Sequence, residues 1–178
     1  MSRFWATTIV LFLLLNGSPT SYAQNDVCND VAEIPRIECR SLIALYESTN
    51  GPGSNWSQAA GWITNYSPCN WQGIACKDEH VSHIDLAGIT LDGTLPPELG
   101  NFSRLDHLSL AGNDETSGVT LHGSIPSELG KLTNLRSLSL YGPFTGNIPA
   151  ELGNLVKLEY LFYHETTCKA LSRLNWAI

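Results

Sequence analysis

After its first two dozen residues the chain has no long apolar run. Beyond the stretch Phe4 to Leu15, no segment approaches the roughly twenty apolar residues that a helix needs to cross a bilayer. Basic charge is also scarce. Lys and Arg number 10 against 17 Asp and Glu, for a net charge of −7. A general nucleic-acid binder needs a basic face, so that class is excluded. Catalytic signatures are missing too: there is no G-x-S-x-G, H-E-x-x-H, P-loop or Rossmann glycine fingerprint. The carboxylates Glu98, Glu128 and Glu151 each stand in an x-Glu-Leu-Gly turn. One per unit of sequence, they form a solvated row and not a catalytic pair. The expectation is a protein that is not an enzyme, with no cofactor and no metal.

The N-terminus combines Arg3, the apolar run Phe4 to Leu15 and the small-x-small site Ser21-Tyr22-Ala23. This is the pattern of a secretory signal peptide over residues 1–23, cut after Ala23. The remaining chain is expected to be secreted: extracellular, or in the periplasm or on the cell surface of a bacterium. Neither a membrane span nor a kinase domain is expected to follow. The cysteines suit an oxidising compartment. Cys28 and Cys39 lie close together, as do Cys69 and Cys76, and Cys168 stands alone. Four cysteines allow three pairings, and the neighbour pairing Cys28–Cys39 and Cys69–Cys76 is preferred because each pair is near in sequence. The spacings miss the gap of two to four that is usual between zinc ligands.

What the chain does have is a repeat. Leu121 to Leu140 reads LHGSIPSELGKLTNLRSLSL. The same pattern precedes it as LDGTLPPELGNFSRLDHLSL and follows it as FTGNIPAELGNL running into LEYLFY. Repeats start at Val81, Leu105, Leu135 and Leu158, a period of about 24 residues with one longer unit. In Leu135-Arg-Ser-Leu138-Ser-Leu140 the alternation places Leu138 and Leu140 on one face of a short strand. Leu121, Ile125, Leu129 and Leu132 return to the same side along a compact leg, bent by glycine and fixed by proline. One such unit cannot bury enough apolar surface alone, so stability must come from stacking. Before the repeats, Arg36 to Thr49 carries Cys39, Leu42, Ile43 and Tyr46 at helical spacing. A loop with Trp56, Trp62 and Trp71 follows, ending in CNWQGIAC.

Three successive copies of Leu-x-Gly-x-Ile-Pro-x-x-Leu-Gly with Leu-x-x-Leu-x-Leu resemble the leucine-rich repeat family, in its plant-type form. Cys69, Trp71, Gly73, Ile74 and Cys76 are similar to the cysteine-containing N-terminal cap of that family. Cys168 and Trp176 are similar to a C-terminal cap. The resemblance implies an α/β solenoid. A short curved parallel β-sheet lines the concave face, loops and 3-10 turns the convex face, and a helical cap covers the N-terminal end. The implied division is cap at 24–80, about 3.5 repeats at 81–167 and a C-terminal cap or tail at 168–178. The family's asparagine after each strand is kept only at Asn113; Ile89 and Pro143 replace it elsewhere. The second repeat carries an insertion near residues 114–120.

The resemblance further implies recognition of a protein or peptide ligand, or of a carbohydrate, by the concave face. Alternative roles are inhibition of a secreted, cell-wall-degrading enzyme, or a structural or adhesive surface function. The outward strand positions make His83, Asp85, His107, Ser109, Ser139, Tyr141, Tyr160 and Phe162 the candidate contact residues, with Tyr141 and Phe162 at the centre. The tryptophans of the cap are read as cover for the apolar end of the solenoid, with a platform for sugars as the alternative. Asn55, Asn65 and Asn101 lie in N-x-Ser sequons, which in a eukaryote would be glycan sites on exposed loops.

Overall fold

The computed structural model describes residues 27–49, 61–63, 67–111 and 120–164. The signal-peptide region, Trp56, Asn55, Asn65, Asn113, most of the insertion, Cys168 and Trp176 lie outside the described residues.

After a 3-10 turn at Val27–Asn29 comes helix α1, Arg36–Ser48, entered from Pro35. Its buried face is Glu38, Cys39, Ser41, Leu42, Leu45 and Tyr46. The expected apolar stripe is therefore present except at Ile43, which is only partly buried, and the face also holds two polar residues. Each has a reason. Ser41 Oγ donates back to the Ile37 carbonyl (2.8 Å) and accepts from Asn101 Nδ2 (3.0 Å). Glu38 takes the Val81 N–H (2.8 Å) and meets His80 Nδ1 (2.7 Å). A buried carboxylate is tolerated only with such partners. These bonds tie α1 to the repeats in two places.

Strand β1, Ile74–Lys77, pairs antiparallel with β2, His80–Asp85. The turn between them is Asp78-Glu79, both with positive φ (51° and 61°). Two left-handed residues make the turn type whose twist matches that of the flanking strands. From β2 the sheet continues in parallel through β4 (His107–Ala111), β6 (Ser137–Tyr141) and β7 (Tyr160–His164). The register aligns Ile84 with Leu108, Leu108 with Leu138, and Leu138 with Leu161. Leucine stacks on leucine from unit to unit, each fully buried Leu or Ile contributing about 1.5–3 kcal/mol.

The return legs carry 3-10 turns at Pro97–Asn101, Ser127–Lys131 and Ala150–Asn154, each following a proline or opening with one. Two short strands, β3 (Gly93–Thr94) and β5 (Leu121–His122), pair in parallel on this second face. The return leg is thus not all coil. The N–H and C=O groups of adjacent legs lie near enough to bond, and they do so wherever the chain is briefly extended. Glycine in the Leu-Gly step has a separate explanation. A Cβ on Gly100 would lie 2.5 Å from the Glu128 carbonyl oxygen, and one on Gly130 would lie 2.3 Å from that of Glu151. The turns stack backbone against backbone, and no side chain fits between.

One apolar core runs from Cys28 and Ile34, through α1 and the strands, to Leu155. Disulfides join Cys28 to Cys39 and Cys69 to Cys76. The first clamps the 3-10 turn Val27–Asn29 to α1, and the second ties the 3-10 turn Pro68–Asn70 to β1. Glu33 adds a polar clamp, its carboxylate accepting from the Cys69 N–H (2.8 Å) and from Ser67 Oγ (2.9 Å).

Candidate functional site

Because side chains alternate along a strand, the sheet presents three outward rows. The first is His83, His107, Ser137 and Tyr160, and the second is Asp85, Ser109, Ser139 and Phe162. The third includes Tyr141. All eight candidate contact residues therefore share one face.

Their accessibility is unequal. Tyr160 is 69% exposed and Phe162 57%, while Tyr141 is half-buried. Ser109 is buried, contrary to the expectation that it meets a ligand. Its short side chain sits between Asp85 and Ser139 on the neighbouring strands, below the reach of the surface. At the N-terminal end of the sheet the His83 and His107 rings stack with centroids 5.8 Å apart. His83 Nε2 lies 3.3 Å from Asp106 Oδ1, and its Nδ1 lies 3.0 Å from Ser82 Oγ. Asp85 does not join them: its Oδ1 accepts the Ala87 N–H (3.1 Å) and so caps its own turn. The two histidines are a stacked pair, with one carboxylate beside His83. No group of three or more potential ligands suited to a metal occurs among the described residues.

Of the two readings of the cap tryptophans, filling of the cap and a platform for sugars, the packing favours filling. Trp62 and Trp71 are buried, with ring centroids 4.8 Å apart, and Tyr46 stacks on Trp62 at 6.0 Å. Trp62 Nε1 donates to the Gln72 carbonyl (2.9 Å). These rings fill the space between α1 and β1 and offer no face to a sugar. Asn101 is a correction, since it is not on an exposed loop. It is half-buried, and the nitrogen a glycan would use is the one bonded to Ser41.

The sequence reading missed a groove at the edge where the strands begin. It is open, about 280 Å³ in volume, and Lys77, Arg104, Asp106, Arg136 and Lys157 are among its lining residues. Apart from Lys77, at the end of β1, these residues sit just before or just after the leucine that opens each unit, at x positions of the repeat. Only the sum over stacked units reveals them as a cluster.

Comparison with known proteins agrees with the geometry. A probable leucine-rich repeat receptor-like serine/threonine-protein kinase of Arabidopsis thaliana is 39% identical over 114 residues, 63% of this chain. The solved PEPR1–AtPEP1 structure superposes with a TM-score of 0.58 at 32% identity, over 71% of this chain. The chain carries plant-type leucine-rich repeats. The ectodomain of the Arabidopsis thaliana membrane receptor kinase GASSHO1/SCHENGEN3, solved in complex with CASPARIAN STRIP INTEGRITY FACTOR 2, matches this repeat chain with a TM-score of 0.57 at 26% identity, over 74% of its length. The chain spans 15% of the kinase relative and 18% of each solved chain. No protein-family model matches the leucine-rich repeat chain. None of its described helices is long and apolar enough to cross a membrane.

Proposed function

We propose that this repeat protein is an extracellular recognition module without catalysis of its own. It binds a protein or peptide ligand across the concave face, with contact centred on Tyr141 and Phe162. On this reading residues 24–80 cap the array, 81–167 form the repeats and 168–178 close the far end. The observation that carries the proposal is the run of Tyr160 and Phe162 on the outward face of β7, more than half exposed, beside Tyr141 on β6. Large amphipathic rings on an open sheet are costly to leave in water, and such rings are enriched among residues that dominate binding energy. The likeness to receptor ectodomains solved with AtPEP1 and CASPARIAN STRIP INTEGRITY FACTOR 2 supports the same reading. Among the described residues the sheet has five strands.

A partner is identified by pull-down from the native secretome. Tyr141→Ala and Phe162→Ala are then expected to weaken binding about tenfold, or about 1.4 kcal/mol each, with the melting temperature held. Unchanged affinity in both variants would refute the concave site. A drop in melting temperature without loss of affinity would mean that the rings are packed within the fold.

A further inference from the structure

We propose that the groove along the strand-start edge binds an acidic segment of a protein, an extended stretch with carboxylates at alternate positions. The idea is independent of the aromatic contact on β6 and β7, since none of the lining residues is shared.

The groove concentrates positive charge in a chain that is otherwise negative. Four of its lining residues are basic, out of 10 Lys and Arg in the whole chain, against two acids, Asp78 and Asp106. The two acids do not cancel the field. Asp106 lies against His83 Nε2 and Arg136 pairs with Glu159, which leaves Lys77, Arg104 and Lys157 against Asp78 and Asp106. The remaining surface must carry the balance of a net charge of −7. An acidic segment is therefore repelled elsewhere and focused here.

Stacking holds the cations in line. Arg104, Asn134 and Lys157 each precede the first leucine or equivalent of a unit, so they form a column along the array. Lys157 Nζ donates to Asn134 Oδ1 (2.7 Å), and Asn134 Nδ2 donates to the Ser103 carbonyl (2.8 Å). The ammonium is thus positioned by a neutral partner and keeps its charge available. Arg136, one row inward, pairs with Glu159. Lys77 and Arg104 have no hydrogen-bond or ion-pair partner among the described residues. Units repeat about every 4.8 Å, so Arg104 and Lys157, two units apart, stand about 10 Å from one another at the backbone. In an extended peptide the side chains of one face recur about every 7 Å. The long flexible stems of Arg and Lys close that difference.

The lining chemistry separates ligand classes. No aromatic ring lines the groove, so the apolar face of a sugar ring has nothing to pack on. A nucleic acid would extend beyond it onto a negative surface. A carboxylate-bearing polypeptide needs only charge and hydrogen bonds, which the groove supplies.

The test is fluorescence anisotropy with a labelled (Glu-Ser)4 peptide and the purified chain in 25 mM NaCl. Binding is expected, and 500 mM salt is expected to abolish it, because exposed charges are screened beyond a few ångströms at that strength. Arg104→Glu and Lys157→Glu should each weaken binding about five- to tenfold. Lys131→Glu, the same charge change on an exposed convex turn, should stay within twofold. Arg104 has no side-chain partner to lose among the described residues, so its variant should melt as the parent does. The proposal is overturned if the parent does not bind the peptide, or if Lys131→Glu costs as much as Arg104→Glu. It is also overturned if Tyr141→Ala abolishes binding while Arg104→Glu does not, which would move the peptide to the aromatic face. Equal binding of a galacturonate oligomer through Arg104 would assign the groove to acidic sugars and refute the peptide.

Discussion

Gly130 and Gly153 occupy the same place in successive Glu-Leu-Gly turns, yet their surroundings predict opposite responses to one added methyl group. A Cβ on Gly130 would lie 2.3 Å from the Glu151 carbonyl oxygen, 2.6 Å from its carbonyl carbon and 2.7 Å from its Cβ. Two of these three atoms are backbone, so no rotamer change relieves the clash. The 3-10 turn Ala150–Asn154 must move away from Ser127–Lys131 by roughly 1 Å to reach ordinary contact. That shift loosens the leucines at 129, 132, 152 and 155, all buried. Overpacking of this kind costs about 1–3 kcal/mol. At Gly153 a Cβ meets nothing within 4 Å among the described residues, and φ is not in the left-handed region. Alanine there restricts only the unfolded chain and should be neutral or stabilise by about 0.4–1 kcal/mol. The gap between the two variants is therefore about 1–4 kcal/mol. At about 2–4 °C per kcal/mol for a domain of this size, Gly130→Ala should melt roughly 2–16 °C below Gly153→Ala. Thermal unfolding followed by circular dichroism measures this directly. Equal shifts in the two variants would mean that backbone-to-backbone stacking is not what demands glycine in these turns.

Three further outcomes are expected. Glu38→Ala should destabilise by about 1–3 kcal/mol in urea, since it strands the buried Val81 N–H; an unchanged midpoint would show that this bond does not hold α1 to β2. Leu138→Ala should cost about 2–5 kcal/mol, because Leu138 is buried between Leu108 and Leu161 in the register. Ser139→Ala, facing out and half-buried, should cost little, and equal losses would mean that the strand faces are assigned the wrong way round. Cys69→Ser should lower stability by about 2–5 kcal/mol, and peptide mapping under non-reducing conditions should find Cys69 linked to Cys76 in the parent.

The solenoid was legible in the sequence because its cause is local and repeated. Leucine alternation defines each strand, proline and glycine define each return, and three copies remove the ambiguity of one. The phase of the sheet followed from the same alternation. Leu138 and Leu140 point in, while Ser139 and Tyr141 point out. Other features depended on neighbours that the local pattern does not name. Glu38 and Ser41 read as polar helix positions, but they are buried because Val81 and Asn101 arrive from the repeats with groups to satisfy. Trp62 and Trp71 read as filling of the cap, with a platform for sugars as the rival, and their stacking with Tyr46 decides for filling.

The sequence alone thus determined the repeating unit, its inward and outward faces and the rows that stacking would create. The reason is that periods of two and about 24 residues are properties of the chain itself. Tertiary structure alone decided which polar residues are buried, which rings are covered and where charge accumulates. Those depend on distances between units, and Arg104, Arg136 and Lys157 become one groove only when 53 residues of chain have been folded into two steps of a stack.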